Sequence, residues 1–282
     1  MTVLQAIILG IIQGVTEFVP ISSSGHLILV PWAFGWTFFL DHPDLNKTFD
    51  VALHLGTFFA VLAFFWRDVL RLLGAFFRSL ARRRAETPEE RLAWLLLLST
   101  VPAAIVGVAF EGFIEERLGE PLLIAFLMIG FGVVMWLVDM RAAQTRHLNG
   151  LRWLDALLIG VAQAVALAPG VSRSGITMIT ARALSVDRES SARYSFLLSI
   201  PVIGGAALYK ALEVARDGLP AGTAQPFFWG MVSAAVSGFA AVWFMLAYLR
   251  SHDFRPFAVY RFVVGAAIII VVVAGLRHAG GI

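Results

Sequence analysis

The sequence lacks two things that most chains of its length contain: cysteine and an ordinary share of charge. None of its 282 residues is cysteine, which excludes disulfides and thiolate metal sites. Only 15% of the residues are charged and 59% are hydrophobic, whereas a typical soluble domain is about 25% charged. So apolar a chain cannot cover its surface with polar groups in water, and we therefore predict an integral membrane protein.

Basic residues are also missing from the N-terminal stretch. No Lys or Arg precedes Lys47, and a secretory signal peptide needs a basic n-region, so none is predicted. The formal net charge is only +3, and the basic residues fall in short segments between apolar runs. This distribution is typical of membrane topology signals and argues against nucleic acid as a partner.

Apolar runs that approach the ~20 residues of a spanning helix occur six times. The six predicted spans are 50–66, 93–110, 121–140, 194–212, 227–249 and 257–278. Two further apolar regions are interrupted, 2–40 by EFVPISSSGH and 153–186 by APGVSRSG. Their halves are too short to cross the bilayer, so we predict two re-entrant helical hairpins. Irregular backbone at that depth is tolerated only inside protein or beside a water-filled cavity.

The two interrupted regions are copies of each other. Residues 6–25 and 156–175 align at an offset of 150 with seven identities. Three predicted spans separate the copies, and an odd number of crossings turns the second copy upside down. The predicted fold class is therefore an all-α polytopic membrane protein with six transmembrane helices and two re-entrant hairpins arranged as an inverted repeat. Residues 1–282 form one membrane domain, with a first half 1–140 and a second half 150–282.

The charge distribution predicts an orientation. If segment 67–91, interpreted as a loop, is cytoplasmic, sixteen basic residues fall inside and five outside. This bias follows the positive-inside rule. Both termini and the mouth of the first hairpin then face outward, and the second hairpin enters from the cytoplasm.

The two copies differ in their polar residues. The first has Glu17, Ser23 and His26 where the second has a leucine, Arg173 and an isoleucine. An arginine near mid-membrane costs at least about 2.5–3.5 kcal/mol, so it needs a partner, either Glu17 or an anionic ligand. Its planar fork suits phosphate oxygens, and half-helices starting after SSSG and SRSG offer them free N–H groups. We predict a phosphate cradle beside a serine, a carboxylate and a histidine suited to nucleophilic catalysis.

At these residues the chain resembles a known family. QGVTEFVPISSSGH and PGVSRSGIT are similar to the two signature motifs of the undecaprenyl-diphosphate phosphatase family of the bacitracin-resistance type, and FDVALHLGT and RYSFLLSIP resemble its secondary blocks. The resemblance covers essentially the whole chain. It implies an enzyme that removes the terminal phosphate of undecaprenyl diphosphate, so that undecaprenyl phosphate is reused as the lipid carrier of peptidoglycan synthesis, and that confers bacitracin resistance.

The resemblance also implies a cofactor, partners and a location. The cofactor is a divalent cation, Mg or Ca. The partners are the prenyl diphosphate lipid and the bilayer, with a homodimer as the candidate assembly. The expected location is the bacterial inner membrane, with the active site facing the outside or periplasm.

Carried over by position, the resemblance assigns site residues. The predicted catalytic residues are Glu17, Ser23, His26 and Arg173. The predicted phosphate-binding residues are Ser22, Ser172, Arg173, Ser174 and Thr177, to which the repeat of the turn adds Ser24. The predicted metal ligands are Glu17 and Gln13; the family often has a second acid at the position of Gln13, but an amide oxygen also suits a hard cation.

Several roles stay open at this point. Ser23 is the predicted nucleophile and His26 the general acid/base, although His26 or a metal-bound water could attack instead. Ser22 and Ser24 also fit simple helix caps. Asp50 and His54, four residues apart, are predicted to form a local pair at the outer mouth. The alternative function is a transporter or flippase that binds a prenyl phosphate in the same cradle, since inverted repeats with broken helices are typical of transporters.

Overall fold

A computed structural model describes residues 1–38, 43–217 and 222–277 of the chain. The described residues are all-helical, which confirms the predicted α class. Their eleven α-helices are α1 Val3–Phe18, α2 Ser23–Phe34, α3 Pro43–Phe64, α4 Trp66–Arg82, α5 Pro88–Arg117, α6 Pro121–Arg141, α7 Trp153–Val165, α8 Arg173–Ala183, α9 Arg188–Asp217, α10 Ala224–Leu249 and α11 Arg255–Val273.

Several helices are long and apolar enough to cross a membrane. Among the described residues there are four, namely 88–110 of α5 together with α6, α10 and α11. A fifth is counted if α3 and α4, which meet at 84°, form one bent span. The chain is therefore a multi-pass membrane protein. The predicted spans 50–66 and 194–212 fall mainly in α3 and in α9. Residue 278, the predicted end of the last span, and residues 39 and 40 of the first hairpin lie outside the described residues.

The prediction that 67–91 is a loop was wrong. Residues 66–82 form helix α4, because apolar residues recur at 66, 70, 73, 77 and 80 with the three- and four-residue spacing of an amphipathic helix. The charge count also needs correction, since Arg182 and Arg261 were counted as loop charges but are fully buried. Removing both leaves the sign of the bias unchanged.

Arg182 is buried because it belongs to an ion cluster at the end of α6. The Asp139 carboxylate accepts hydrogen bonds from Arg182 Nε at 3.0 Å and Arg188 Nε at 2.9 Å. It also accepts the backbone N–H of Phe254 at 3.2 Å. One carboxylate thus joins the end of α8 and the starts of α9 and α11 to α6.

The two sequence copies pack in the same way against different helices. Helix α1 packs on α10, and α7 packs on α5. A Cβ atom added to Gly14 would lie 2.6 Å from the backbone nitrogen of Gly238, and one added to Gly160 would lie 2.7 Å from the carbonyl oxygen of Ser99. Small residues let the backbones approach this closely in the membrane.

Each copy contains a helix–turn–helix whose turn ends in the same backbone conformation. The first turn, residues 19–22, joins α1 to α2, and the second turn, residues 166–172, joins α7 to α8. Ser22 and Ser172 are the N-caps, both at φ 78°, a value uncommon outside glycine. The Gly170 N–H donates to Ser22 Oγ at 2.9 Å, so the two turns touch.

Candidate active site

Glu17, near the C-terminal end of α1, is the centre of a buried polar cluster. The carboxylate is only 5% exposed. Its Oε2 accepts a hydrogen bond from Ser23 Oγ at 2.7 Å and from Gln13 Nε2 at 3.2 Å. Its Oε1 accepts from Arg173 Nε at 3.2 Å and Nη2 at 3.0 Å. The first turn thus brings a serine to the carboxylate, and the second brings the guanidinium.

His54 of α3 completes this group. Its Nε2 lies 3.6 Å from Glu17 Oε2, and its Nδ1 lies 2.7 Å from the carbonyl oxygen of Asp50. His54 thus contacts Asp50, as predicted, through the Asp50 carbonyl oxygen, and it has a further partner, Glu17, that the prediction did not include. We call Gln13, Glu17, Ser23, His54 and Arg173 the Glu17 cluster.

Helix α9 supports Arg173 from the other side. Arg173 Nη1 donates to the carbonyl oxygen of Ser195 at 3.1 Å. Thr177, one turn into α8, shares a 2.7 Å hydrogen bond with Ser195 Oγ and donates to the carbonyl oxygen of Arg173 at 2.8 Å. These contacts hold the guanidinium in place beside Glu17.

The remaining serines of the turns act mainly on backbone. Ser22 Oγ accepts from the Gly25 N–H at 3.3 Å, and Ser172 Oγ accepts from the Gly175 N–H at 3.1 Å, so the interpretation of Ser22 as a helix cap holds in this structure. Ser174 Oγ lies 3.2 Å from Ser172 Oγ. Ser24 is half-buried in the first turn of α2, with no side-chain hydrogen bond to the described residues.

His26 points away from the Glu17 cluster. Its Nδ1 lies 2.7 Å from the carbonyl oxygen of Ser22, and its Nε2 lies 2.7 Å from the hydroxyl of Tyr260 on α11. The two rings are stacked with centroids 5.7 Å apart. The structure therefore brings Ser23 and Arg173 to Glu17, but it places His26 against α11.

Arg261, also on α11, joins both turns. It is fully buried and donates to the carbonyl oxygens of Pro20 at 3.2 Å and Gly170 at 2.5 Å. It donates further to the carbonyl oxygens of Val171 at 3.1 Å and Met128 at 3.0 Å. A guanidinium has five N–H donors in a fixed fork, so one side chain can fix both turns relative to α6.

Two matched glutamines each carry a buried oxygen without a hydrogen-bond partner among the described residues. These atoms are Oε1 of Gln13 and Oε1 of Gln163, which are 150 residues apart. Buried polar atoms are normally satisfied. Gln13 Oε1 lies one helical turn from Glu17, and an amide and a carboxylate oxygen suit a hard cation that also binds phosphate oxygens and water. The described residues contain no cluster of three or more His, Cys, Asp or Glu that could hold a metal on its own.

Comparison with known proteins identifies the family. The family described as "Bacitracin resistance protein BacA" matches residues 6–267. The chain belongs to this family. It is 44% identical over 277 residues to an undecaprenyl-diphosphatase of Pelobacter propionicus, covering 98% of this chain and 99% of that protein. Undecaprenyl-diphosphatases of Pelotomaculum thermopropionicum and Desulforudis audaxviator are 44% and 45% identical, covering 97% and 95% of this chain and 98% and 97% of theirs.

In this BacA-family chain, the sequence predicted the two turns and the helices around them, but not which residues of those helices reach the site. The missed residues are Ser195, Tyr260 and Arg261, and for His54 the contact with Glu17 was missed. His54 and Ser195 fall within FDVALHLGT and RYSFLLSIP, so those blocks carried a signal for them. The assembled site offers a hydroxyl, a carboxylate that can take its proton, and a guanidinium for phosphate oxygens.

Proposed function

We propose that this chain hydrolyses undecaprenyl diphosphate to undecaprenyl phosphate and inorganic phosphate. Membership of the BacA family and the names of relatives at about 44% identity over nearly the whole chain support this activity. The reaction returns the lipid carrier to cell-wall synthesis and thereby confers resistance to bacitracin. The flippase alternative has no support among these relatives.

The contact between Ser23 and Glu17 carries the mechanism. Ser23 Oγ attacks the terminal phosphorus while its proton passes to Glu17 Oε2, which lies 2.7 Å away. The bond to the bridging oxygen breaks and undecaprenyl phosphate leaves. Water then attacks the phospho-serine, inorganic phosphate is released, and Glu17 returns its proton to Ser23.

Arg173 stabilises the charge that builds up on the phosphate oxygens. Its guanidinium is held by Ser195 and by Glu17, so it is fixed before substrate binds. Preorganised donors of this kind contribute more to catalysis than mobile ones. The caps take up the Gly25 and Gly175 amides, but the first two amides of α2 and of α8 have no intrahelical acceptors and add further donors. These helix starts are stabilised by the hydrogen bonds of four hydroxyl side chains, Ser22, Ser172, Ser174 and Thr177.

The two histidines have different roles in this proposal. His54 lies beside Glu17 and stabilises its carboxylate during proton transfer. Both ring nitrogens of His26 are hydrogen-bonded. His26 can therefore transfer a proton only after its Nε2 leaves the Tyr260 hydroxyl and contacts the substrate or a water. We retain His26 as the general acid/base for the second step.

A divalent cation, Mg or Ca, is part of the proposal. Gln13 Oε1 and Glu17 are the residues that would hold it, since Gln13 Oε1 has no other partner among the described residues. When bound together with the diphosphate, such an ion neutralises phosphate charge.

The apolar chain of the substrate has room beside the first turn. A lateral cleft of about 510 Å³ lies between α1, α10 and α11 and is lined by Val15, Ile21, Phe244, Tyr260 and neighbouring apolar residues. Ile21 directly precedes the cap of α2. A prenyl chain in this cleft would keep its diphosphate close to Ser23.

The membrane arrangement that we propose has six spans and two re-entrant hairpins, α1–α2 and α7–α8, related as an inverted repeat in one membrane domain. It places both termini and the active site on the outer face of the bacterial inner membrane. A homodimer stays a prediction. With no native cysteine, a cysteine at Gly119 should react with an impermeant reagent in intact cells and one at Ala85 should not. The opposite result would reverse the orientation.

One experiment tests the activity itself. Purified protein should release phosphate from a short prenyl diphosphate, and a chelator should slow the release. In parallel, proteoliposomes should show no protein-dependent transfer of a labelled prenyl phosphate between leaflets. Transfer without phosphate release would select the flippase instead.

A further inference from the structure

Helix α4 plays no part in the proposed reaction, yet its direction is unusual. It follows α3 after a single residue, Phe65, and the two helices meet at 84°. If α3 runs across the bilayer, a helix perpendicular to it lies along the membrane surface. In that arrangement the 17-residue helix α4 lies in the plane of the interface.

One face of α4 is held by the rest of the protein. Trp94 Nε1 donates to Ser79 Oγ at 2.8 Å, and the Trp94 ring packs against Phe76 with centroids 5.0 Å apart. At the other end of the helix, Asp68 accepts from Arg193 at 2.6 Å. These contacts fix the rotation of α4 about its axis.

A second face is apolar and faces away from the protein. Its side chains are spaced four and three residues apart and are between 49% and 61% exposed: Trp66, Leu70, Leu73, Phe77 and Leu80. A continuous exposed stripe of this kind fits the boundary between lipid headgroups and acyl chains.

A third face is basic. Arg67, Arg71, Arg78 and Arg82 follow the apolar stripe along the helix, and Arg83 and Arg84 extend it; all six are exposed. Arg71 pairs with Asp68, and Arg82 pairs with Glu86 and Glu90. Among the described residues, no carboxylate lies within ion-pair distance of the other four, Arg67, Arg78, Arg83 and Arg84. These side chains are free to contact a negatively charged surface.

We propose that α4 binds the headgroups of anionic phospholipids. The apolar stripe inserts at the acyl boundary, and the basic stripe beside it contacts lipid phosphates at the same depth. Insertion of the apolar stripe alone would not distinguish one lipid headgroup from another. Unpaired arginines do, because each basic group near the surface contributes about a fivefold preference for anionic over neutral lipids. The proposal does not depend on the enzymatic activity.

The lack of cysteine allows a direct test. Ala81, on the exposed side of α4, is replaced by cysteine and labelled with a fluorophore, and the protein is placed in nanodiscs of phosphatidylcholine with added phosphatidylglycerol. Quenching by headgroup spin-labelled forms of each lipid gives the local ratio of the two. We expect phosphatidylglycerol to be enriched at least about fivefold over the bulk ratio, the preference that one unpaired arginine contributes. In 1 M salt the enrichment should largely disappear, because the screening length falls to about 3 Å.

Two triple variants give the matched comparison. Arg67→Gln/Arg78→Gln/Arg83→Gln, which removes three of the four unpaired arginines, should lower the ratio most of the way to bulk. Arg141→Gln/Arg250→Gln/Arg255→Gln removes the same charge from exposed sites elsewhere and should leave the ratio unchanged. A bulk ratio around wild-type α4 would overturn the proposal. So would an enrichment that survives both salt and the α4 substitutions. If the α4 variant does not fold, the salt and lipid titrations of the wild type decide the question.

Discussion

The two turns end in the same capped backbone but carry different chemistry. Ser22 and Ser172 share a φ of 78°. Each caps its helix by accepting a hydrogen bond from the glycine three residues later in the chain. The next residue is Ser23 in the first turn and Arg173 in the second. Both side chains converge on Glu17, which has a leucine at its matched position.

This difference shows how a duplicated scaffold makes an asymmetric site. The two copies keep the same capped helix start, with its uncommon φ near +80°. The side chains that carry chemistry have diverged between them. A symmetric pair of turns would place two serines or two guanidiniums together. The comparison predicts that substitutions at diverged positions affect activity, and that their effects rank with distance from Glu17.

The largest effect is expected at Ser23. Ser23→Ala should lower kcat on the order of 10³-fold or more, as removal of a nucleophile does, while the lipid diphosphate still binds. Ser24→Ala, one residue away and outside the Glu17 cluster, should stay within a few-fold of wild type. Acid-quenched wild type should yield a phosphate on Ser23; a phosphate on His26, or an active Ser23→Ala, would contradict the assignment.

Arg173→Lys tests the other turn. Lysine keeps the charge but cannot hold Glu17 and phosphate oxygens with a planar fork, so we expect a loss on the order of 10²-fold in kcat. Arg255→Lys, an exposed arginine on α11, is the control. Near-normal turnover of Arg173→Lys would mean that Arg173 only neutralises Glu17.

The matched glutamines sharpen the comparison further. Gln13→Leu should raise the cation concentration needed for half-maximal activity by about tenfold, by analogy with the loss of other metal-site contacts. Gln163→Leu removes an equally buried oxygen from the second copy and should leave the cation requirement unchanged. Equal responses in phosphate-release titrations would show that Gln13 has no special relation to the cation.

The smallest effect is expected from Tyr260→Phe. Losing one hydrogen bond is worth about 1 kcal/mol, so activity should fall about fivefold. Because Tyr260 contacts the site through His26, the double variant with His26→Ala should be no worse than His26→Ala alone. Additive losses in this cycle would indicate that Tyr260 acts independently of His26. Tyr248→Phe, at the C-terminal end of α10, serves as the control.

Much of the site could be predicted because its residues break an apolar pattern. Glu17 and Arg173 are charges within apolar segments, and the offset of 150 pairs the turns that carry them. The supporting residues could not be found in this way. Ser195 and Tyr260 lie on α9 and α11, and which face of an apolar helix meets a hairpin depends on tertiary packing.

Helix α4 and Arg261 show the same limit in the charged segments. A stretch with several arginines was interpreted as a loop, because its apolar residues are too few for a span and only their spacing indicates a helix. Arg261 was counted with the charges of the segment before the last predicted span, although it lies inside that span, 257–278. How deeply an arginine near the end of a span is buried depends on tertiary packing.

The contacts of Arg261 also determine when the site can exist during biosynthesis. Its bond to the Pro20 carbonyl joins residues 241 positions apart, and at roughly 5–20 residues per second the ribosome needs about 12–48 s to make that stretch. Throughout this interval the first hairpin is in the membrane without the arginine that fixes its turn. For most of it Glu17 also waits for Arg173. A nascent chain halted before α11 should therefore present an unanchored turn to membrane quality-control proteases, and the enzyme becomes active only as its last helix inserts.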